Sequence, residues 1–106
     1  MSAATGVWAD SVGVVYVTEY NGNRVRRISN GIISTFAGGG AITTEGAPAT
    51  SVSLISPYNT YGDCSGNFVY ISDFSHARVR VVSLDVGAIK TVAGNGITAS
   101  TNNAGA

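Results

Sequence analysis

The stretch Val15-Tyr16-Val17-Thr18-Glu19-Tyr20 decides the fold, because it returns 54 positions later as Val69-Tyr70-Ile71-Ser72-Asp73-Phe74. Each of the aligned pairs is identical or chemically close. The similarity continues on both sides, at Trp8-Ala9-Asp10 with Tyr61-Gly62-Asp63, at Arg24-Val25-Arg26 with Arg78-Val79-Arg80, and at residues 33–38 with residues 89–94. The chain is therefore built from two copies of one unit, a pattern typical of repeat architectures.

Each copy has the pattern of four short strands separated by turns. The predicted strands are rich in β-branched and aromatic residues. They cover residues 7–9, 14–19, 24–29 and 32–36 in the first copy, and residues 59–62, 68–73, 78–83 and 88–92 in the second. Asn21-Gly22 and Asn30-Gly31 predict two-residue type I′ turns, in which both central residues need a positive φ. No helical periodicity is present, so the prediction is an all-β chain with two four-stranded antiparallel units.

Composition excludes several classes of protein. Of the 106 residues, 44% are hydrophobic and 11% are charged, and Lys plus Arg balances Asp plus Glu at 6 each. This balance argues against nucleic acid or an anionic membrane as a partner. The single cysteine, Cys64, rules out an intrachain disulfide, and with one histidine in the chain we expect no metal and no cofactor. The sequence shows no signal peptide and no apolar span, so we expect a soluble chain and leave its compartment open.

The repeated residues resemble a known family. The stretch Tyr70-Ile71-Ser72-Asp73-Phe74, followed by Arg78-Val79-Arg80-Val81-Val82 and by residues 87–94, resembles the NHL repeat of β-propellers. Residues 16–26 resemble the same repeat, and residues 46–57 are similar to the linker between its blades. The resemblance covers almost the whole chain, and it implies a fold more strongly than a function.

The resemblance divides the chain and predicts how it assembles. Residues 1–40 would be one blade, residues 41–58 the linker, residues 59–96 a second blade, and residues 97–106 a tail that bridges to the next subunit. NHL propellers typically close with six blades, so we expect a cyclic homotrimer, with an eight-bladed tetramer as the second choice. A fragment excised from a larger propeller is the alternative.

Acidic residues recur beside arginines in both copies. Glu19 with Arg24, and Asp73 with Arg78, flank the same predicted hairpin. A catalytic acid with a guanidinium partner is conceivable, but recurrence in both copies favours an ion pair that fixes the turn. Asp10 and Asp63 are predicted to hold turns through side-chain hydrogen bonds to the backbone. We therefore expect no catalytic residue.

Four residues are candidates for a binding surface: Arg27, His76, Tyr20 and Phe74. Arg27 is unusual, because it shares a strand face with Val25 and that face would be buried between blades. We expect its aliphatic stem to pack and its guanidinium to reach solvent. His76 is predicted to be a solvated loop residue.

The sequence favours a non-enzymatic scaffold or interaction module that assembles with copies of itself. Its loop faces and channel mouth would bind protein, peptide or glycan. One alternative is a fragment of a propeller enzyme, similar to peptidylglycine lyases or strictosidine synthases, although this chain has one histidine and few acids. The other is a minimal or engineered repeat whose only function is self-assembly.

Overall fold

The computed structural model of the protein describes residues 3–63 and 66–94, and this part of the chain is all-β. The predicted bridging tail, residues 97–106, and Cys64 lie outside the described residues. The strands are β1 Ala4–Ala9, β2 Val15–Glu19, β3 Arg24–Ser29, β4 Ile32–Gly38, β5 Pro57–Gly62, β6 Phe68–Asp73, β7 Arg78–Ser83 and β8 Ile89–Gly94. Two 3₁₀ turns, Ala49–Ser51 and Phe74–His76, are the helical elements of this part.

The strands form two four-stranded antiparallel sheets, as predicted. Sheet 1 has the order β1-β2-β3-β4 and sheet 2 the order β5-β6-β7-β8, so each is a meander of consecutive hairpins. The repeat extends to the register: Glu19 pairs with Arg24 in sheet 1, and Asp73 pairs with Arg78 in sheet 2. A register shift after Val25 recurs in the second copy. The two copies therefore share their backbone geometry as well as their sequence.

The turns confirm one of the two Asn-Gly predictions and contradict the other. Asn30 and Gly31 have φ values of 53° and 77°, as a two-residue turn of this type requires. Asn21-Gly22 does not form such a turn, because residues 20–23 all lie between β2 and β3. The left-handed residue is instead Asn23 (φ 56°), which closes this longer loop, and Ala77 (φ 53°) holds the equivalent position in the second copy.

The linker between the sheets, residues 39–56, is fixed at both ends. Its far end folds back on its start, where the Gly40 amide donates to the Val52 carbonyl at 3.0 Å. Val52 and Leu54 are fully buried in the hydrophobic core. In between, the Gly46 amide donates to the Ile89 carbonyl at 2.8 Å on the outer edge of sheet 2. The linker thus contacts both sheets.

The sheets pack face to face. Thr18 and Thr60 share a buried hydrogen bond of 2.6 Å between their hydroxyls, one from each sheet. Nearby, Trp8 of sheet 1 lies over Gly62 of sheet 2, where a Cβ atom would overlap the six-membered part of the indole. The same ring packs on Tyr16, with centroids 5.5 Å apart. The inner strands β1 and β5 therefore meet along this contact.

We predict that Gly62→Ala destabilises the protein by about 1–3 kcal/mol, because the added methyl overpacks the Trp8 contact. Gly62 has ordinary strand geometry, so an alanine there would otherwise be neutral or stabilising. The measurement is urea unfolding of the single variants and of the Trp8→Leu/Gly62→Ala double variant. The cost should shrink in the Trp8→Leu background, and an equal cost in both backgrounds would contradict this account.

Candidate functional site

Three aromatic side chains, Tyr20, Tyr58 and Phe74, form a row that we call the aromatic strip. Tyr58 stands between the other two, with ring centroids 6.3 Å from Tyr20 and 6.0 Å from Phe74. Tyr58 is 54% exposed and Phe74 is 62% exposed. Tyr20 follows β2 and Phe74 follows β6, so the same end of both sheets supplies the strip. Exposed aromatic rings in a row are typical of interaction surfaces.

The structure brings the predicted residues Tyr20 and Phe74 together through Tyr58, which sequence reasoning missed. The predicted linker ended at residue 58, and this boundary placed Tyr58 outside the second unit. Its surroundings are fixed by side-chain bonds to the backbone. Thr5 Oγ1 donates to the Tyr58 carbonyl at 2.8 Å, and the Ser56 amide donates to Asn23 Oδ1 at 2.9 Å. The strip is therefore held on an ordered backbone.

In sheet 1, two arginines share one carboxylate oxygen. Arg24 Nε donates to Glu19 Oε1 at 2.8 Å, and Arg26 Nη1 lies 3.8 Å from the same oxygen. The Glu19 side chain is fully buried, and its Oε2 has no hydrogen-bond partner in the described part of the chain. This group, Glu19 with Arg24 and Arg26, carries one more positive charge than negative.

In sheet 2, the equivalent arginines meet two carboxylates. Asp73 Oδ2 lies 3.3 Å from Arg78 Nη2 and 3.6 Å from Arg80 Nη1. It also lies 2.6 Å from His76 Nδ1, so His76 is a half-buried member of this cluster. The expectation of a solvated loop histidine was therefore wrong. The cause is the 3₁₀ turn over residues 74–76, which turns the ring back onto the carboxylate.

Glu45 is the second carboxylate of this cluster, and sequence reasoning missed it because it comes from the linker. Its Oε2 lies 3.7 Å from Arg78 Nη1 and 3.9 Å from Arg80 Nη2. Thr91 of β8 donates its backbone N–H to Oε1 and its hydroxyl to Oε2. The linker thus supplies the charge that balances the two arginines of sheet 2. No local motif marks such a contact, because it joins residues 46 positions apart.

Burial and neighbouring charges shift the pKa values of Arg80 and Glu45. Burial lowers the pKa of Arg80, and the charge of Arg78 adds to this, while Glu45 and Asp73 oppose it. For Glu45, desolvation acts to raise the pKa. The hydrogen bonds from Thr91 and the charges of Arg80 and Arg78 outweigh it, so the pKa lies below its ordinary value of 4.5. Glu45 is therefore ionised at neutral pH.

Asp10 and Asp63 lie at the β1–β2 and β5–β6 turns. Asp10 Oδ1 accepts hydrogen bonds from the Val12 and Val14 amides, at 3.0 and 2.9 Å. Asp63 Oδ1 accepts from the Phe68 amide at 3.4 Å. Both carboxylates are thus engaged by backbone donors of their own turns. Within residues 3–63 and 66–94, no group of three or more His, Cys, Asp or Glu side chains is arranged to hold a metal ion.

Arg27 lies in a groove between the outer parts of the two sheets. It pairs with Tyr16 across β2, so its side chain belongs to the face of sheet 1 that packs on sheet 2. The groove measures about 370 Å³, and its walls include Phe36, Leu84 and Val86. Arg27 is half-buried there and makes no ion pair with any other described residue. That its stem packs while its guanidinium reaches solvent stays a prediction.

Each sheet has one covered face and one open face. The face of sheet 1 that covers sheet 2 carries Trp8, Tyr16, Thr18 and Val25, and the covered face of sheet 2 carries Thr60, Val69, Ile71, Val82 and Ile89. The open face of sheet 1 carries Val7, Val15, Val17, Ile28 and Ile33, and the open face of sheet 2 carries Tyr61, Tyr70, Val79 and Val81.

The open face of each sheet carries residues equivalent to those on the covered face of the other sheet. Val25 is fully buried between the sheets, whereas its equivalent Val79, on the open face of sheet 2, is 38% exposed. Ile89 is fully buried, whereas its equivalent Ile33, on the open face of sheet 1, is 43% exposed. The open face of sheet 2 thus carries the equivalents of the sheet 1 residues that pack on sheet 2. The open face of sheet 1 carries the equivalents of the sheet 2 residues that are buried by this packing.

No helix among the described residues is long and apolar enough to cross a membrane. Comparison with protein-family models finds no match, and none of the curated proteins compared matches the chain. The function is therefore inferred from the geometry of the chain itself.

We predict that Glu45→Gln lowers the free energy of unfolding by about 0.5–1 kcal/mol at pH 7, a small loss because Glu45 is half exposed. A carboxylate with a lowered pKa stabilises the folded state above the unfolded pKa, and this stabilisation disappears as the pH falls through the folded pKa. The difference between wild type and variant should therefore shrink as the pH falls below the ordinary pKa of 4.5 for Glu45. Urea unfolding at pH 7 and pH 3 measures it, and an equal difference at both values would contradict the assignment.

Proposed function

We propose that the two sheets are neighbouring blades of an NHL-type β-propeller and that copies of this chain complete the ring. The supporting observation is that the open face of each sheet carries residues equivalent to those on the covered face of the other sheet. The open face of sheet 2 in one chain would cover the open face of sheet 1 in the next, as sheet 1 covers sheet 2 within the chain. Apolar sheet faces left in water favour such a contact.

The contact is heterologous, since two different faces meet, and a heterologous contact forms a ring when its rotation closes. We propose three chains and six blades, because the NHL repeats that the sequence resembles typically close with six. Four chains and eight blades are the second choice. Ring closure would also remove both exposed sheet faces at once, which a dimer built on one of these contacts would not do.

We propose further that the assembled protein is a non-enzymatic interaction module and that the aromatic strip binds its ligand. The strip offers rings without charged groups, which suits the apolar surface of a peptide or the carbohydrate rings of a glycan. In a trimer the strip would recur three times on one side of the ring. A ligand with repeated units would then bind several strips and gain avidity.

Nucleic acid is a weaker candidate for the ligand. Four of the five strand arginines are held by carboxylates, in two groups that we call the acid–base clusters. One cluster is Arg24 and Arg26 with Glu19, and the other is Arg78 and Arg80 with Asp73 and Glu45. Arg27 lies apart from them in the groove between the sheets. A continuous basic surface, which phosphate recognition needs, is thus not formed by these residues.

We predict that Val7→Arg and Tyr61→Asp each prevent assembly, because each places a charge on one of the two open faces. Light scattering after size exclusion should give three times 10.8 kDa for the wild type and 10.8 kDa for each variant. Val12→Arg is the matched control, since Val12 is 82% exposed in a turn and Val7 is 67% exposed on the open face of sheet 1. The control should keep the wild-type mass.

Mixing the two variants tests whether the contact is heterologous. The Val7→Arg chain keeps an intact sheet 2 face, and the Tyr61→Asp chain keeps an intact sheet 1 face. Their mixture should therefore form a dimer of twice 10.8 kDa at high concentration. A monomeric wild type, or a mixture that stays monomeric while the wild type assembles, would overturn the proposal.

We predict that the aromatic strip binds a polyproline decapeptide or cellohexaose, two probes with apolar surface and no side-chain charge. Binding should shift the NMR signals of Tyr58 and Phe74, and Tyr58→Ala should weaken it about tenfold or more. Tyr61→Phe is the control, because Tyr61 is similarly exposed, at 63%, but lies on the open face of sheet 2. If neither probe shifts these signals, a ligand of this kind is excluded.

A further inference from the structure

The two acid–base clusters differ by one carboxylate. In sheet 2, Arg78 and Arg80 are balanced by Asp73 and by Glu45 of the linker. In sheet 1, the equivalent arginines have Glu19 alone. All six acidic residues of the sequence lie within the described ranges, and no other one forms an ion pair with the sheet 1 arginines.

The donors that bind Glu45 are all repeated in sheet 1. Thr91 pairs with Arg80 across β7 and β8, and Thr35 pairs with Arg26 across β3 and β4 in the same register. Thr91 donates its N–H and its hydroxyl to Glu45. The Thr35 hydroxyl forms no hydrogen bond within the described part of the chain, although the position is equivalent. The guanidinium groups of Arg24 and Arg26 and the hydroxyl of Thr35 are thus placed to bind a second carboxylate.

The backbone beside this position is also open in sheet 1. In sheet 2, the linker runs along the edge of β8, where the Gly46 amide donates to the Ile89 carbonyl and the Ile89 amide donates to the Ala47 carbonyl. Ile33 is the equivalent of Ile89, and the shared register turns its N–H and C=O outward too. Ile33 has no such partner among the described residues and is 43% exposed.

We propose that the outer edge of sheet 1 binds an extended acidic peptide segment. A glutamate of the segment would place its carboxylate between Arg24, Arg26 and Thr35, and the residues after it would pair with the Ile33 backbone. This is β-strand addition to a sheet edge, with a charged side chain for specificity. The linker of this chain shows the bound geometry, because residues 45–47 already occupy the equivalent position on sheet 2.

The probe is a fluorescein-labelled peptide with the sequence of residues 41–52, titrated with the full chain and followed by fluorescence anisotropy. Its counterpart carries glutamine at the position of Glu45. We expect the glutamine peptide to bind about tenfold more weakly, because it loses the charge-assisted hydrogen bonds. Added salt should weaken the glutamate peptide and bring the two affinities together. Equal affinities at low salt would overturn the proposal.

Variants of the protein locate the site on sheet 1. Thr35→Val should weaken the glutamate peptide several-fold, since it removes one donor without changing charge. Ser34→Ala is the matched control, because it removes the neighbouring hydroxyl from the opposite face of the same strand. A loss in the control equal to that in Thr35→Val would show that the peptide binds elsewhere. The Tyr61→Asp chain carries its substitution on the open face of sheet 2, away from Arg26 and Thr35. It should bind the peptide as the wild type does, so this result is separate from ring closure.

Discussion

The contact of β1 and β2 with β5 is the constraint on which the rest of the structure depends. Trp8 lies over Gly62, and the Thr18 and Thr60 hydroxyls share a hydrogen bond in a fully buried setting. A hydrogen bond between hydroxyls excluded from water requires good geometry, so it fixes the sheets in one relative position. A four-stranded sheet has two faces, and this contact, together with the buried linker residues Val52 and Leu54, covers one face of each sheet. The open faces, and with them the case for self-assembly, are consequences of this arrangement.

The two acid–base clusters are built from equivalent residues but differ in their surroundings. Sheet 2 carries two arginines on its covered face, and sheet 1 carries their equivalents on its open face. In both sheets a carboxylate from the preceding strand lies among the arginines. Only sheet 2 adds Glu45, because the linker precedes it and runs along its edge within the described chain. Removing a charge partner from a buried group costs more than the pair gains, so the second carboxylate matters most where burial is deepest, at Arg80. The arginines of sheet 1 are less buried than their equivalents in sheet 2, so they tolerate its absence.

Much of the fold could be predicted because its signals are local. Alternation and β-branched residues marked the strands, and the Asn30-Gly31 turn fixed a hairpin register through its positive φ values. The turn at residues 21–22 was misjudged, since the same dipeptide lies inside a longer loop whose length depends on strand pairing. Tyr58 and Glu45 were missed for a related reason. Both belong to segments whose partners are distant in sequence, and His76 was assigned to solvent because a 3₁₀ turn is invisible to strand periodicity.

The sequence by itself determined the repeat, the strand order within each unit and the presence of an acid beside an arginine at the same place in both. These follow from period-2 patterning, turn chemistry and self-similarity, which are properties of neighbouring residues. Only the tertiary structure decided which face of each sheet is covered, that the linker delivers a carboxylate to one cluster and not the other, and that Tyr58 joins Tyr20 to Phe74. The reason is physical: alternation states that a strand has two faces, but which of them is buried depends on the packing of a second sheet.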